Sequence, residues 1–113
     1  MSRTKTIKIL TGKEIMSLLK QHKNILKRYK IKRIGLFGSY IRGNQKKRSD
    51  IDFLVEFDLT NFDKNFSGYF DNFMDLSFSL EKLFGKKIDL ITDGSLSPYI
   101  QPYVEKEVLW YEG

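Results

Sequence analysis

The sequence predicts an α/β (α+β) domain in which a small mixed sheet is flanked by helices, and three observations carry that prediction. Apolar runs at 31–37, 51–57 and 87–92 have the length of strands, and in the second of them Ile51, Phe53, Val55 and Phe57 alternate with Asp50, Asp52, Leu54 and Glu56. Around these runs the apolar residues recur instead at spacings of three, four and seven, which is one face of a helix. The resulting order is α-β-(short α)-β-α-β-α, and 113 residues without a repeat or a Pro/Gly/Ser linker are expected to form one domain, 1–113, around one core.

Taken in order, Thr11 and Glu14 have the spacing of a capping box, and Ile15, Leu18, Leu19, Ile25 and Leu26 line one face of a helix expected over 12–29. His22 falls among polar residues and is expected on the solvent side of that helix. Ile31 to Phe37 reads as a strand, with Gly35 allowing another backbone or side chain to come close. Gly38-Ser39 stops it, Tyr40 to Gly43 forms a short helix, and 45–48 is a polar loop leading to the alternating strand 51–57. Residues 58–67 lack periodicity and are expected to form a loop. Phe70, Phe73, Met74, Leu76, Leu80, Leu83 and Phe84 make the stripe of a helix over 68–84, closed by Gly85, and their aromatic density is that of core packing. A third strand at 87–92 ends at Asp93-Gly94. Ser97-Pro98 has the look of a helix start, predicting a last helix to about Trp110 with Pro102 in its first turns. Of its aromatics Tyr99, Tyr103, Trp110 and Tyr111, at least half are expected to pack into the core and the remainder to be available to a partner.

Composition removes several functional classes. There is no cysteine and one histidine, so disulfide frameworks, thiolate zinc sites and histidine-rich metal sites are excluded. No apolar run approaches the length that spans a bilayer, and Met1 to Leu10 has basic residues without a secretory apolar region, so the expected setting is the cytoplasm, with no membrane partner. The net charge of +6 is divided unevenly: residues 1–49 hold fifteen Lys/Arg and one acid, residues 50–113 five Lys and thirteen acids. A basic half favours an anionic partner, whether nucleotide, nucleic acid or an acidic protein face.

The chemistry concentrates between Gly35 and Phe57. A Gly38-Ser39 turn leading into a short helix offers unpaired backbone N–H groups and a hydroxyl, and glycine at 38 lets the backbone approach a phosphate without a Cβ in the way. Asp50 and Asp52 stand at i and i+2 on a strand, so both side chains leave the same face, about 6–7 Å apart at Cα. Carboxylates that close repel unless a cation lies between them, and hard oxygen ligands suit Mg²⁺. Asp89, near the start of the third strand, is a third carboxylate able to ligate metal or accept a proton if that strand adjoins the second. Each feature alone is commonplace. Acids at the head of a hydrophobic strand, with another between Ile88 and Leu90, are not what a purely structural sequence would place there.

Gly38-Ser39, ten intervening residues and Asp50-x-Asp52 resemble the signature of the polymerase-β-like nucleotidyltransferase superfamily, with Asp89 as its separate third carboxylate. The segments Phe37-Gly38-Ser39-Tyr40-Ile41-Arg42-Gly43 and Ser49-Asp50-Ile51-Asp52-Phe53-Leu54-Val55 are similar to its minimal, MNT-domain members, and the likeness covers nearly the whole chain; Ile41 departs from the small residue many members carry there. The resemblance implies a palm fold in which Gly38 and Ser39 hold the β- and γ-phosphates of ATP and Asp50 and Asp52 bind Mg²⁺. Asp89 would help deprotonate an acceptor hydroxyl. Arg42 is a candidate for binding the triphosphate, and Ser49 is expected to shape its turn. It further implies a HEPN-domain toxin as partner, whose tyrosine would receive AMP, with the chain acting as antitoxin. The alternatives are transfer to RNA or a small molecule, for which the basic first half gives some support through nucleic acid binding, and an antitoxin that blocks its partner without catalysis.

Overall fold

The computed structural model describes residues 10–65 and 67–112; the basic stretch 1–9 and Phe66 lie outside the described residues. Helices α1 (Gly12–Gln21) and α2 (Asn24–Arg28) precede strand β1 (Ile31–Phe37), a one-turn helix α3 (Ser39–Arg42) and strand β2 (Ile51–Phe57). A 3₁₀ turn at Leu59–Asn61 leads to the long helix α4 (Tyr69–Phe84), then β3 (Ile88–Thr92), α5 (Gln101–Glu107) and β4 (Leu109–Glu112). The sheet order is β3-β2-β1-β4. It is mixed, as expected: β1 runs antiparallel to β2 and β4, while β2 and β3 run parallel across the helical crossover α4.

Local chemistry accounts for most boundaries. The Thr11 hydroxyl accepts from the Glu14 N–H at 3.1 Å and the Glu14 carboxylate accepts from the Thr11 N–H at 2.9 Å, a complete capping box. At Gly35 the C-terminal segment lies close against β1, since a Cβ there would collide with Val108 and the Trp110 ring. Asp58 caps the 3₁₀ turn through the Thr60 N–H and hydroxyl, giving part of the expected loop a regular structure.

Two expectations are corrected. The helix expected over 12–29 is two helices, because the His22 N–H closes α1 onto the Leu18 and Leu19 carbonyls and its ring Nδ1 lies 2.9 Å from the Leu18 carbonyl oxygen. His22 is exposed as predicted, but at a helix end. The helix expected over about 97–110 begins only at Gln101 and stops at Glu107. Ser97 and Pro98 form a turn ahead of it, the Ser97 carbonyl accepting from the Ile100 and Gln101 N–H groups. Val108 is extended, and Leu109 to Glu112 leave the helix to pair with Arg33 to Leu36. A ladder along an otherwise open edge of β1 outweighs one further helical turn.

The sheet has a heavily and a lightly covered face. On the first, Ile51, Phe53, Val55 and Phe57 of β2 pack with Ile15 and Leu19 of α1 and with Leu76, Leu80 and Phe84 of α4. On the second, Leu54 is buried with Phe37, Leu96 and Val104 in a small cluster under α5. Asp52 precedes Leu54 by two positions and therefore belongs to this lighter face. Among the described residues no helix is long and apolar enough to cross a membrane.

Candidate functional site

The pairing of strands brings the sequence-predicted acids together. In the parallel pair Asp52 stands opposite Asp89, and in the antiparallel pair it stands opposite Phe37, the residue before Gly38. The Gly-Ser turn, Asp52 and Asp89 thus occupy three adjacent strand ends, with neighbouring strands about 4.8 Å apart. Asp50 lies just ahead of β2 and is exposed, as is Asp89; Asp52 is half-buried between them. A cleft of about 290 Å³ lined by Val55, Phe57, Tyr69 and Thr92 lies further along β2 and β3, away from these acids.

The crowding of carboxylates is visible in their electrostatics. Burial pushes the Asp52 carboxyl up to about 6, and the charges of Asp89 and Asp50, with a hydrogen bond to Asp89, push in the same direction; Arg42 opposes them. Burial, helped by the charge of Asp50, also raises the Tyr40 phenol. This donor set fits a hard divalent cation: oxygen ligands only, with negative charge that the fold itself leaves uncompensated. Among the described residues no three His, Cys, Asp or Glu side chains already converge on one point, so the fit rests on charge and donor type.

Gly38 is required twice over. Its φ is +81°, and any Cβ would overlap Oδ2 of Asp52. Its N–H is not offered to a ligand, because it donates to Oε2 of Glu107 at 2.7 Å. Ser39 opens α3, so its N–H has no partner within that turn, and among the described residues its hydroxyl is free of hydrogen bonds. Arg42 donates through Nη1 to both oxygens of Glu107, at 3.1 and 3.2 Å. Ser49 shapes its turn, its hydroxyl accepting the Lys46 N–H and its carbonyl lying 3.4 Å from the Tyr40 hydroxyl. Ile41 packs against the main core, which accounts for a large side chain behind the turn.

Glu107 is the residue that sequence reasoning missed. It lay inside a helix expected to run on past it, and one acid in Val104-Glu105-Lys106-Glu107 carries no signal of its own. Of the C-terminal aromatics, Trp110 and Tyr111 pack against the two clusters while Tyr99 and Tyr103 are 86% and 73% exposed, the division expected.

Comparison with known proteins gives a consistent result. The profile of the nucleotidyltransferase domain family matches residues 19–111. A candidate protein adenylyltransferase of Methanocaldococcus jannaschii is 44% identical over 102 residues, covering 88% of this chain and 97% of its own. The protein adenylyltransferase MntA of Thermococcus cleftensis is 38% identical over 104 residues, covering 90% and 97%. Among solved structures, a candidate minimal nucleotidyltransferase superposes with a TM-score of 0.69 at 23% identity, over 88% of this chain and 95% of that one. A toxin–antitoxin structure with AMP-PNP superposes with a TM-score of 0.59 at 27% identity, over 92% and 75%.

Proposed function

This chain belongs to the nucleotidyltransferase domain family, and from that premise we propose that it is a protein adenylyltransferase, moving AMP from ATP to a tyrosine hydroxyl of a HEPN-domain toxin and so acting as an antitoxin. The observation that carries the reading is the Asp52–Asp89 pairing beside the Gly38-Ser39 turn. The name of the 44% identical relative and the toxin–antitoxin neighbour bound to AMP-PNP support the acceptor class and the nucleotide.

Asp50 and Asp52 would hold Mg²⁺, which when bound supplies charge neutralisation for the phosphates. The Ser39 N–H and hydroxyl bind phosphate oxygens at the start of α3, where Gly38 keeps the approach clear. Asp89, on the strand beside Asp52, accepts the proton of the attacking hydroxyl. That oxygen forms a bond to the α-phosphorus, the bond from α-phosphorus to the bridging oxygen breaks, and pyrophosphate leaves. Positioning and electrostatics supply the rate, as in phosphoryl transfer generally.

The test is incubation with ATP labelled at the α-phosphate, Mg²⁺ and a HEPN protein encoded beside this chain. Label on a partner tyrosine, abolished by Asp52→Asn and by Asp89→Asn, is the expected result. Label appearing on RNA instead would redirect the acceptor. Neutralisation of the toxin by both variants as fully as by the wild type would make the chain a steric blocker.

A further inference from the structure

We propose that Glu107 is a positioning residue of this site: its one carboxylate ties the Gly38 amide and the Arg42 guanidinium together, so that the Gly-Ser turn and the arginine meet the triphosphate as a single preformed unit. The inference deepens the nucleotidyl-transfer reading and rests on it.

The geometry follows from how β4 ends. The β1–β4 ladder pairs Leu36 with Leu109, and continuing the antiparallel register would set Phe37 against Val108 and Gly38 against Glu107. At that point the backbone has already become α5, so no ladder carbonyl faces the buried Gly38 N–H. The Glu107 side chain takes that place at 2.7 Å. An amide facing an ionised carboxylate makes a shorter and stronger hydrogen bond than one facing a carbonyl. The same two oxygens hold Nη1 of Arg42.

Glu107 is not a loose surface acid. Its side chain is only 21% exposed, against 54% for Arg42, and α5 is anchored one turn earlier by the buried Val104. The fixed partner is therefore the glutamate and the restrained one the arginine. Among the described residues Arg42 is hydrogen-bonded through Nη1 alone, which leaves Nε and Nη2 to face a phosphate. Without Glu107 the long side chain regains its rotamers, and the Asp50, Asp52 and Asp89 cluster becomes its alternative counterion. Both changes oppose nucleotide binding: ordering the arginine costs entropy, and an arginine on the acids competes with the metal. The Gly38 amide also loses the hydrogen bond it makes to that carboxylate, loosening the turn whose conformation presents Ser39.

The experiment measures the dissociation constant of AMP-PNP with Mg²⁺ for the full chain and for Glu107→Ala, Glu107→Gln, Arg42→Ala and the Glu107→Ala/Arg42→Ala double variant, with thermal unfolding alongside. Glu107→Ala is expected to weaken binding about tenfold, and Glu107→Gln, whose carbonyl still accepts the Gly38 N–H, only about threefold. Arg42→Ala, about tenfold weaker in the wild-type background, should cost less than about twofold more once Glu107 is gone. Unchanged affinity in Glu107→Ala, or fully multiplicative losses in the double variant, overturns the positioning role. Equal losses in the alanine and glutamine variants that simply track their melting temperatures overturn it too, since that is the pattern of a structural contact. A wild-type chain that binds no AMP-PNP would sink the nucleotidyl-transfer reading itself, and this inference with it.

Discussion

A methyl group at position 38 has nowhere to go, because it meets the Asp52 carboxylate and because φ of +81° strains any residue with a Cβ. Gly38→Ala is expected to lower stability by about 2 kcal/mol in denaturant unfolding, and to abolish transfer by displacing Asp52 from Asp89. Asp52 behaves differently, since the fold holds it against its own charge. With its carboxyl raised from 3.8 to about 6, the folded state binds a proton more tightly than the unfolded chain. Stability contributed at this residue is therefore present at low pH and is lost as pH rises from about 4 through 6. Asp52→Asn should flatten that part of the stability–pH curve and leave an inactive chain about 1 kcal/mol more stable at pH 7. Adding Mg²⁺ should raise the melting temperature of the wild type at pH 7 and leave that of Asp52→Asn nearly unchanged.

Elements were legible in proportion to how much of their stabilisation is local. The capping box of α1, the alternation of β2 and the stripe of α4 are written in contiguous residues, and the structure has each of them. Strand β4 is not written that way. Val104 to Tyr111 has no period that separates helix from strand, and what decides it is the unpaired edge of β1, some seventy residues earlier in the chain. The three aspartates and the Gly-Ser turn, which the pairing of strands brings together, stood out because their residue types are wrong for a purely structural strand and turn. Glu107 was not, because its partner Gly38 becomes its neighbour only when β4 docks. The docking is held by Arg33, which lies 2.7 Å from Glu56, 3.5 Å from Asp93 and stacks 3.8 Å from the Trp110 ring. Trp110→Ala should lower stability by about 2 kcal/mol, less than a fully buried aromatic would cost, and should weaken nucleotide binding through the loosened Glu107. Arg33→Ala, which removes half-buried ion pairs and one stacking contact, should cost about 1 kcal/mol in the same unfolding measurement.

Across the whole molecule the basic first half and acidic second half meet at the site: Gly38, Ser39 and Arg42 come from the first, Asp50, Asp52 and Asp89 from the second. Donors suited to anions and to cations thus share one sheet end, and under the proposed function a nucleotide with its metal would satisfy the two together. At one hundred times its dissociation constant, ATP with Mg²⁺ should stabilise the chain by about 2.7 kcal/mol, a rise of roughly 10 °C in melting temperature. The metal alone should give a smaller rise, and ATP in chelator almost none.

The β1–β4 pairing also sets a timetable. Its two strands enclose the rest of the sheet and its three connections, so their closure is entropically the costliest strand pairing in the sheet and the last to repay itself during folding. The same order run backwards makes α5 and β4 the first unit to open from the native state, while β2, paired on both sides, opens only with global unfolding. Native-state hydrogen exchange should find the β4 amides exchanging well before those of Phe53 and Val55. Each such opening takes Glu107 away from Gly38 and gives it back, so the order of the Gly-Ser turn's conformation rises and falls with the breathing of the chain's last strand.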